Sequence, residues 1–138
     1  MFDLKKRVIL ITYLGLIPFY FNTLVDFFGL ENLLHQKFNL KEIHLTYGAI
    51  IVAFLSGMQW QKMINNKMKS QLYIPLIPLI IVISYDTNFF YNSSMFIIIL
   101  SLLLSLLIDL FFLKKTHELW FQKLRINVTI LASLSYLI

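Results

Sequence analysis

Between Met95 and Leu113 the chain runs nineteen residues with a single charge, Asp109. About 20 apolar residues in a helix cross the ~30 Å hydrocarbon core of a bilayer. Inside lipid the backbone of such a run must satisfy its own hydrogen bonds, so it is expected to be helical. Treating the run as the buried helix of a soluble protein fails on surface. A chain of 138 residues exposes much of what it has. With 59% hydrophobic and 14% charged residues, against roughly 25% charged in an average soluble domain, it lacks the polar side chains to cover itself. Hydrocarbon as solvent removes the difficulty. The sequence therefore reads as an all-α integral membrane bundle, one transmembrane domain over 1–138.

Four more apolar runs bring the expectation to about five transmembrane helices, at 8–28, 43–60, 72–91, 95–113 and 120–138. The first follows Lys5-Lys6-Arg7, as a signal peptide would, but it is longer than a signal core and no small-x-small site follows it. The third holds Pro75 and Pro78 and is expected to kink or to begin at the interface. The fifth is uncharged only over 126–138 and spans if Lys123 and Arg125 snorkel to the headgroups. Between the first two runs, Leu30, Leu33, Leu34 and Phe38 recur at helical spacing, which suggests a short helix on the membrane surface.

A net charge of +5 does not point to nucleic acid, because the basic residues cluster in connectors and form no stripe. If the runs alternate in direction, ten of the twelve Lys and Arg fall on one side: Lys5, Lys6, Arg7, Lys62, Lys67, Lys69, Lys114, Lys115, Lys123 and Arg125. Lys37 and Lys41 fall on the other. Retention of positive charge on the side of synthesis puts the N-terminus in the cytoplasm. Trp60 and Trp120 then lie at the basic interface, where indoles anchor. Membrane lipids, with anionic headgroups on the cytoplasmic side, are the expected partners. Heavy use of Ile, Lys, Asn and Phe suggests an AT-rich bacterial genome, hence a bacterial inner membrane, with a mitochondrial inner membrane as the alternative.

Polar and small residues fall on stripes of a 3.6-residue helix. The first run has Gly15, Pro18, Asn22 and Asp26. The second has a ladder of Ala49, Ala53 and Gly57 with Gly48 and Ser56 beside it. The fourth has Ser101, Ser105 and Asp109, and the fifth has Arg125, Thr129, Ser133 and Tyr136. Such stripes serve either close helix packing or a polar pathway at the bundle centre. On the packing reading the second run is central, and Gly57→Leu should harm the fold more than Leu55→Gly. Asp109 and Arg125 sit at matching depth in antiparallel runs. An unpaired carboxylate in the apolar layer costs a few kcal/mol, so the two are expected to pair, as a clamp or as part of a relay.

The sequence holds no cysteine, no Gly-rich phosphate loop, no HExxH and no Gly-x-Ser-x-Gly. Among the histidines, His35 and His44 are placed on the outer side and His117 in an inner loop. None is expected at mid-membrane, where haem ligation needs facing histidines, and a metal site from His35, His44, Glu31 or Glu42 has no specific spacing to support it. Loop histidines of this kind are expected to be solvated. No cofactor and no catalytic residue is expected. Gln59, beside Trp60, is placed for interfacial hydrogen bonding or for contact with a headgroup or quinone.

The stretch YGAIIVAFLSGMQW resembles the signature of a small membrane-protein family of unknown function that includes bacterial inner-membrane proteins and the mitochondrial transmembrane protein 69. Tyr47, Gly48, Ala49, Phe54, Gly57 and Trp60 carry the resemblance. Ser56 departs from a common Gly and Gln59 from a common His, so a titrating imidazole is missing at that place. Trp120, Leu124, Arg125 and Thr129 resemble the segment that opens the family's last helix. The resemblance implies about five transmembrane helices in an inner membrane and brings no activity with it. Three functions remain open: a non-enzymatic scaffold or assembly factor for a larger membrane complex or homo-oligomer, a small carrier or channel with a polar path through the first, fourth and fifth helices, and a lipid- or quinone-binding protein using Gln59, Trp60, Asp109 and Arg125.

Overall fold

The computed structural model describes residues 3–34, 39–84 and 93–138. The expectations for His35, Phe38 and the continuation of the third run toward Tyr91 lie outside the described residues. The described chain forms α1 (Leu4–Leu14), α2 (Ile17–Phe27), α3 (Glu31–Leu34), α4 (Leu40–Asn65), a single 3-10 turn (Lys69–Gln71), α5 (Leu76–Ile83), α6 (Ser94–Phe111) and α7 (Leu119–Ser135). Among the described residues there is no strand. The fold is all-helical. α4 and α6 are long and apolar enough to cross a membrane, and the bent α1–α2 pair makes a third candidate. α5, with 8 residues, and α7, with 17, are shorter.

The differences from the apolar runs have local causes. The first run breaks into two helices at an angle of 42°, because Pro18 has no N–H to continue the ladder. Phe19 N turns instead to Leu16 O at 3.0 Å. The Gly15 carbonyl released there is taken by the Tyr47 hydroxyl of α4 at 2.8 Å. α4 begins three residues before the expected run, since the Asn39 side chain accepts from Glu42 N at 3.3 Å and caps it. His44, at the edge of the expected run, therefore lies a full turn inside the helix.

α4 packs on α2, α5 and α6, while α7 packs on α6 and α2. The principal core joins Phe19, Leu45, Val52, Val82, Ile98, Leu102, Ala132 and Tyr136. Polarity runs opposite to that of a soluble protein. Ser101 and Ser105 are wholly buried, whereas Phe27 is 82% exposed and Phe111 76%. Large apolar side chains face outward from every α-helix longer than one turn, as they do where the surroundings are lipid.

The small-residue ladder divides. Gly48 and Ser56 are buried and Ala49 is half-buried, but Ala53 and Gly57 face outward. A Cβ on Gly57 would meet nothing within 4 Å. The buried face of α4 is Gly48, Val52, Ser56, Gln59 and Met63, one position away from the ladder. Gly57 is therefore not a packing residue within this chain. Gly48 is one, because a Cβ there would fall on the Tyr136 hydroxyl and lie 2.7 Å from Ile98 Cγ2.

Around Gly48 the far ends of α4 and α7 lock together. The Tyr136 hydroxyl donates to His44 O at 2.7 Å. The two rings stack at 4.1 Å with planes 9° apart, and the Phe19 ring meets Tyr136 edge-on. Ser135 Oγ donates to Ala132 O at 2.6 Å, so His44 Nε2, 3.1 Å away, must be the donor in their contact. His44 is thus a buried core histidine, contrary to the solvated loop residue expected.

Gly48→Ala should lower stability by about 1–3 kcal/mol, the range for overpacking a filled interior, and adding Tyr136→Phe should recover part of the loss. Gly57→Leu should be nearly neutral, the reverse of the expectation from the ladder. Thermal unfolding in detergent, scored for each variant against the parent, distinguishes the two glycines.

Candidate functional site

At the opposite end, α4 and α7 part. Lys5 lies 5.5 Å from the Trp120 ring, and Lys62 reaches His117. The start of α1, the end of α4 and the α6–α7 connector therefore share one basic end. The connector folds back over α6. His117 N bonds Leu113 O at 3.2 Å, and Thr116 Oγ1 donates to the same carbonyl at 2.8 Å. This turn swings the His117 ring onto Asp109, eight residues earlier in the chain.

Asp109 is 4% exposed. Arg125 Nε donates to its Oδ2 at 2.7 Å, and His117 Nε2 lies 3.2 Å from its Oδ1. On the other side of the ring, Lys62 Nζ is 2.7 Å from His117 Nδ1. An ammonium can only donate, so Nδ1 accepts and the proton sits on Nε2, directed at the carboxylate. The result is one chain, Lys62–His117–Asp109–Arg125, spanning α4, the connector, α6 and α7. Phe121 covers it, with its ring 4.7 Å from that of His117 and 5.7 Å from Lys62 Nζ.

Next to this chain Gln59 is buried, and its Nε2 donates to Ser105 O at 2.9 Å, with Ser105 Oγ at 3.2 Å. Two buried atoms here have no hydrogen-bond partner among the described residues, Gln59 Oε1 and Arg125 Nη2. Both side chains line a cleft of about 370 Å³, walled by Leu55, Met58, Leu113 and Phe121 and with Lys62, Asp109 and His117 at its polar side. An unmet buried polar group costs about 1–3 kcal/mol. Both atoms are themselves enclosed by the surrounding side chains.

The other sequence candidates are placed elsewhere. Tyr47 is occupied with Gly15, Thr129 is buried within α7, and Trp60 is 47% exposed on the outer face of α4. Asn22 is half-buried and Asp26 exposed near the end of α2. The structure thus brings together Gln59, Asp109 and Arg125. It joins to them Ser105, which the polar stripe of the fourth run had marked, and adds Lys62, His117 and Phe121, which residue spacing does not single out for a site. His117 was placed in a solvated loop. The one available hint is the brevity of the Lys114–Glu118 connector, which leaves a histidine little room to leave the end of α6.

Removing one member of a buried ion pair strands the other, at about 3–5 kcal/mol. Asp109→Asn and Arg125→Gln should each lower the unfolding midpoint, and the double variant should lose less than the two singles combined. Additive losses in that double-variant cycle would show that the two side chains are not coupled.

No curated protein and no solved structure matches the chain. A family match covers residues 4–138, almost the whole of it. The chain belongs to the family described as protein of unknown function (DUF3429).

Proposed function

We propose that this protein is a multi-pass membrane protein that binds an anionic, lipid-type amphiphile at its basic end. The observation that carries this reading is the cleft between α4 and α7, with apolar walls and with Lys62, His117 and Arg125 at its polar side. An amphiphile has the matching form, with a charged head for Lys62 and Arg125 and chains for Leu55, Met58 and Phe121. The proposal includes about five crossings, in which α5 and α7 complete the bundle, with the basic end in the cytoplasm of a bacterium. Its support is the clustering of Lys and Arg at that end. The likeness to mitochondrial transmembrane protein 69 rests on two sequence stretches alone, Tyr47–Trp60 and the segment with Trp120, Leu124, Arg125 and Thr129.

The other two functions have less to support them. A scaffold needs outward faces and leaves the cleft and the cations that line it without a purpose. A carrier needs a continuous polar path. Between the basic end and the His44–Tyr136 lock, the buried Ser56, Ser101, Thr129 and Ser133 are interleaved with Val52, Ile98, Leu102 and Ala132.

Purification in a mild detergent followed by native mass spectrometry tests the reading. The expected result is one co-purified acidic lipid per chain, retained at least fivefold less by Lys62→Gln, a variant that keeps the Asp109–Arg125 pair. A parent protein that emerges free of lipid, or equal retention in the variant, would overturn it.

A further inference from the structure

We propose that His117 is a proton-operated latch on Lys62, so that the cleft takes up one proton as it takes up the head of an anionic amphiphile. The proposal rests on the lipid-binding reading above and concerns the regulation of that same cleft.

The imidazole is clamped between two groups that ask opposite things of it. Lys62 Nζ lies 2.7 Å from Nδ1, and Asp109 Oδ1 lies 3.2 Å from Nε2. The His117 side chain is 6% exposed, as is that of Asp109. With one proton on the ring, at Nε2, both contacts are satisfied. With two, Nδ1 also carries a hydrogen, and two donors of like charge face each other. The Asp109 contact then becomes an ion pair and holds. The Lys62 contact cannot hold. Lys62 is the partner able to move, since its ammonium ends a flexible four-carbon stem. The ring is kept in place by the connector turn, in which His117 N bonds Leu113 O, and by the Phe121 ring packed on it at 4.7 Å.

The released ammonium remains at the cleft, because Lys62 and His117 both line it. An anionic head can meet it there, and Nδ1–H can donate to the same head. In the reverse direction, a head that draws Lys62 away leaves Nδ1 a buried acceptor with no donor. A proton on Nδ1 removes that defect. The proton has a route, since Lys62 is half-buried. Its ammonium passes a proton along the existing hydrogen bond to Nδ1, and the resulting amine takes one from water. The balance is one proton gained from solvent, with no other bond changed.

The charged groups around the ring come from several elements. Beyond Lys62 of α4 and Asp109 of α6, α7 brings Arg125, which holds the other oxygen of Asp109. On the connector Lys114, Lys115 and Glu118 are exposed, and Glu118 accepts from Trp120 Nε1. α1 brings Lys5 to the Trp120 ring. α5 carries no ionisable side chain. Histidine is the residue type among them that changes charge between about pH 5 and pH 8.

The test uses the full chain in a mild detergent. Phosphatidylglycerol, whose phosphodiester keeps one negative charge across that range, is compared with phosphatidylcholine of the same acyl chains, and bound lipid is read by native mass spectrometry near pH 5.5 and near pH 8. One proton taken up on binding raises affinity by up to about tenfold per pH unit of acidification. Retention of phosphatidylglycerol should therefore be at least fivefold higher at the lower pH, with phosphatidylcholine unchanged. A preference for phosphatidylglycerol that is equal at both pH values, or weaker at the lower one, would overturn the latch and leave the anionic-lipid reading standing. No preference at either pH would overturn both. His117→Gln should keep the preference and lose its pH dependence, and a pH dependence that survived would assign the proton to another group and overturn the latch. A second measurement does not require that variant to fold. Ring nitrogens of the histidine-labelled parent are followed by NMR near pH 6.5, with His117 assigned through His35→Gln and His44→Gln. By reciprocity, saturating phosphatidylglycerol should convert His117 toward the doubly protonated ring and phosphatidylcholine should not. An Nδ1 signal that ignores phosphatidylglycerol would overturn the proposal.

Discussion

A carboxylate buried among apolar helices must be held by cations or hydrogen-bond donors, and Asp109 is held from two directions. Arg125 reaches it from α7 and His117 from the connector, and Lys62 of α4 completes the chain through the imidazole. Three helices and the turn between two of them are thereby fixed at one end. Apolar contacts in lipid give little direction to helix association, since lipid tails are as apolar as leucine. Polar contacts at known places therefore decide which helix meets which. The Tyr47–Gly15, Gln59–Ser105 and Tyr136–His44 bonds do the same for the α1–α2 break with α4, α4 with α6 and the end of α7 with α4.

These contacts also give the molecule its asymmetry. At one end of the α4–α7 pair a tyrosine hydroxyl fills the space above a glycine and the two helices close. At the other, glutamine and arginine are spread apart and bounded by methionine, leucine and phenylalanine. The cleft follows from residue size and from where hydrogen bonds are spent. Ser105 draws Gln59 toward α6, Asp109 draws Arg125 the same way, and a space is left between α4 and α7.

Much of this could be read from residue spacing. The polar stripe of α6 and the antiparallel depth of Asp109 and Arg125 come directly from helix periodicity and span length, and the helical class from the apolar runs. Periodicity was less able to separate neighbouring faces. Ala49, Ala53 and Gly57 repeat as regularly as Gly48, Val52 and Ser56, and only the Tyr136 hydroxyl, 88 positions after Gly48, decides which set turns inward. The burial of His44 and of His117 was missed for different reasons, one because the end of α7 brings Ser135, 91 positions later, and Tyr136 to its ring and one because the Thr116 turn folds the connector back. Neither shows in hydropathy. The break at Pro18 was visible as a proline, but its acceptor, Tyr47, belongs to another helix.

The bolt of Tyr136 over Gly48 has a mechanical corollary. The phenol occupies the room a side chain at position 48 would take, so its own thickness gauges how near the two backbones come, and any larger residue there would act as a shim that lifts the hydroxyl off His44 O.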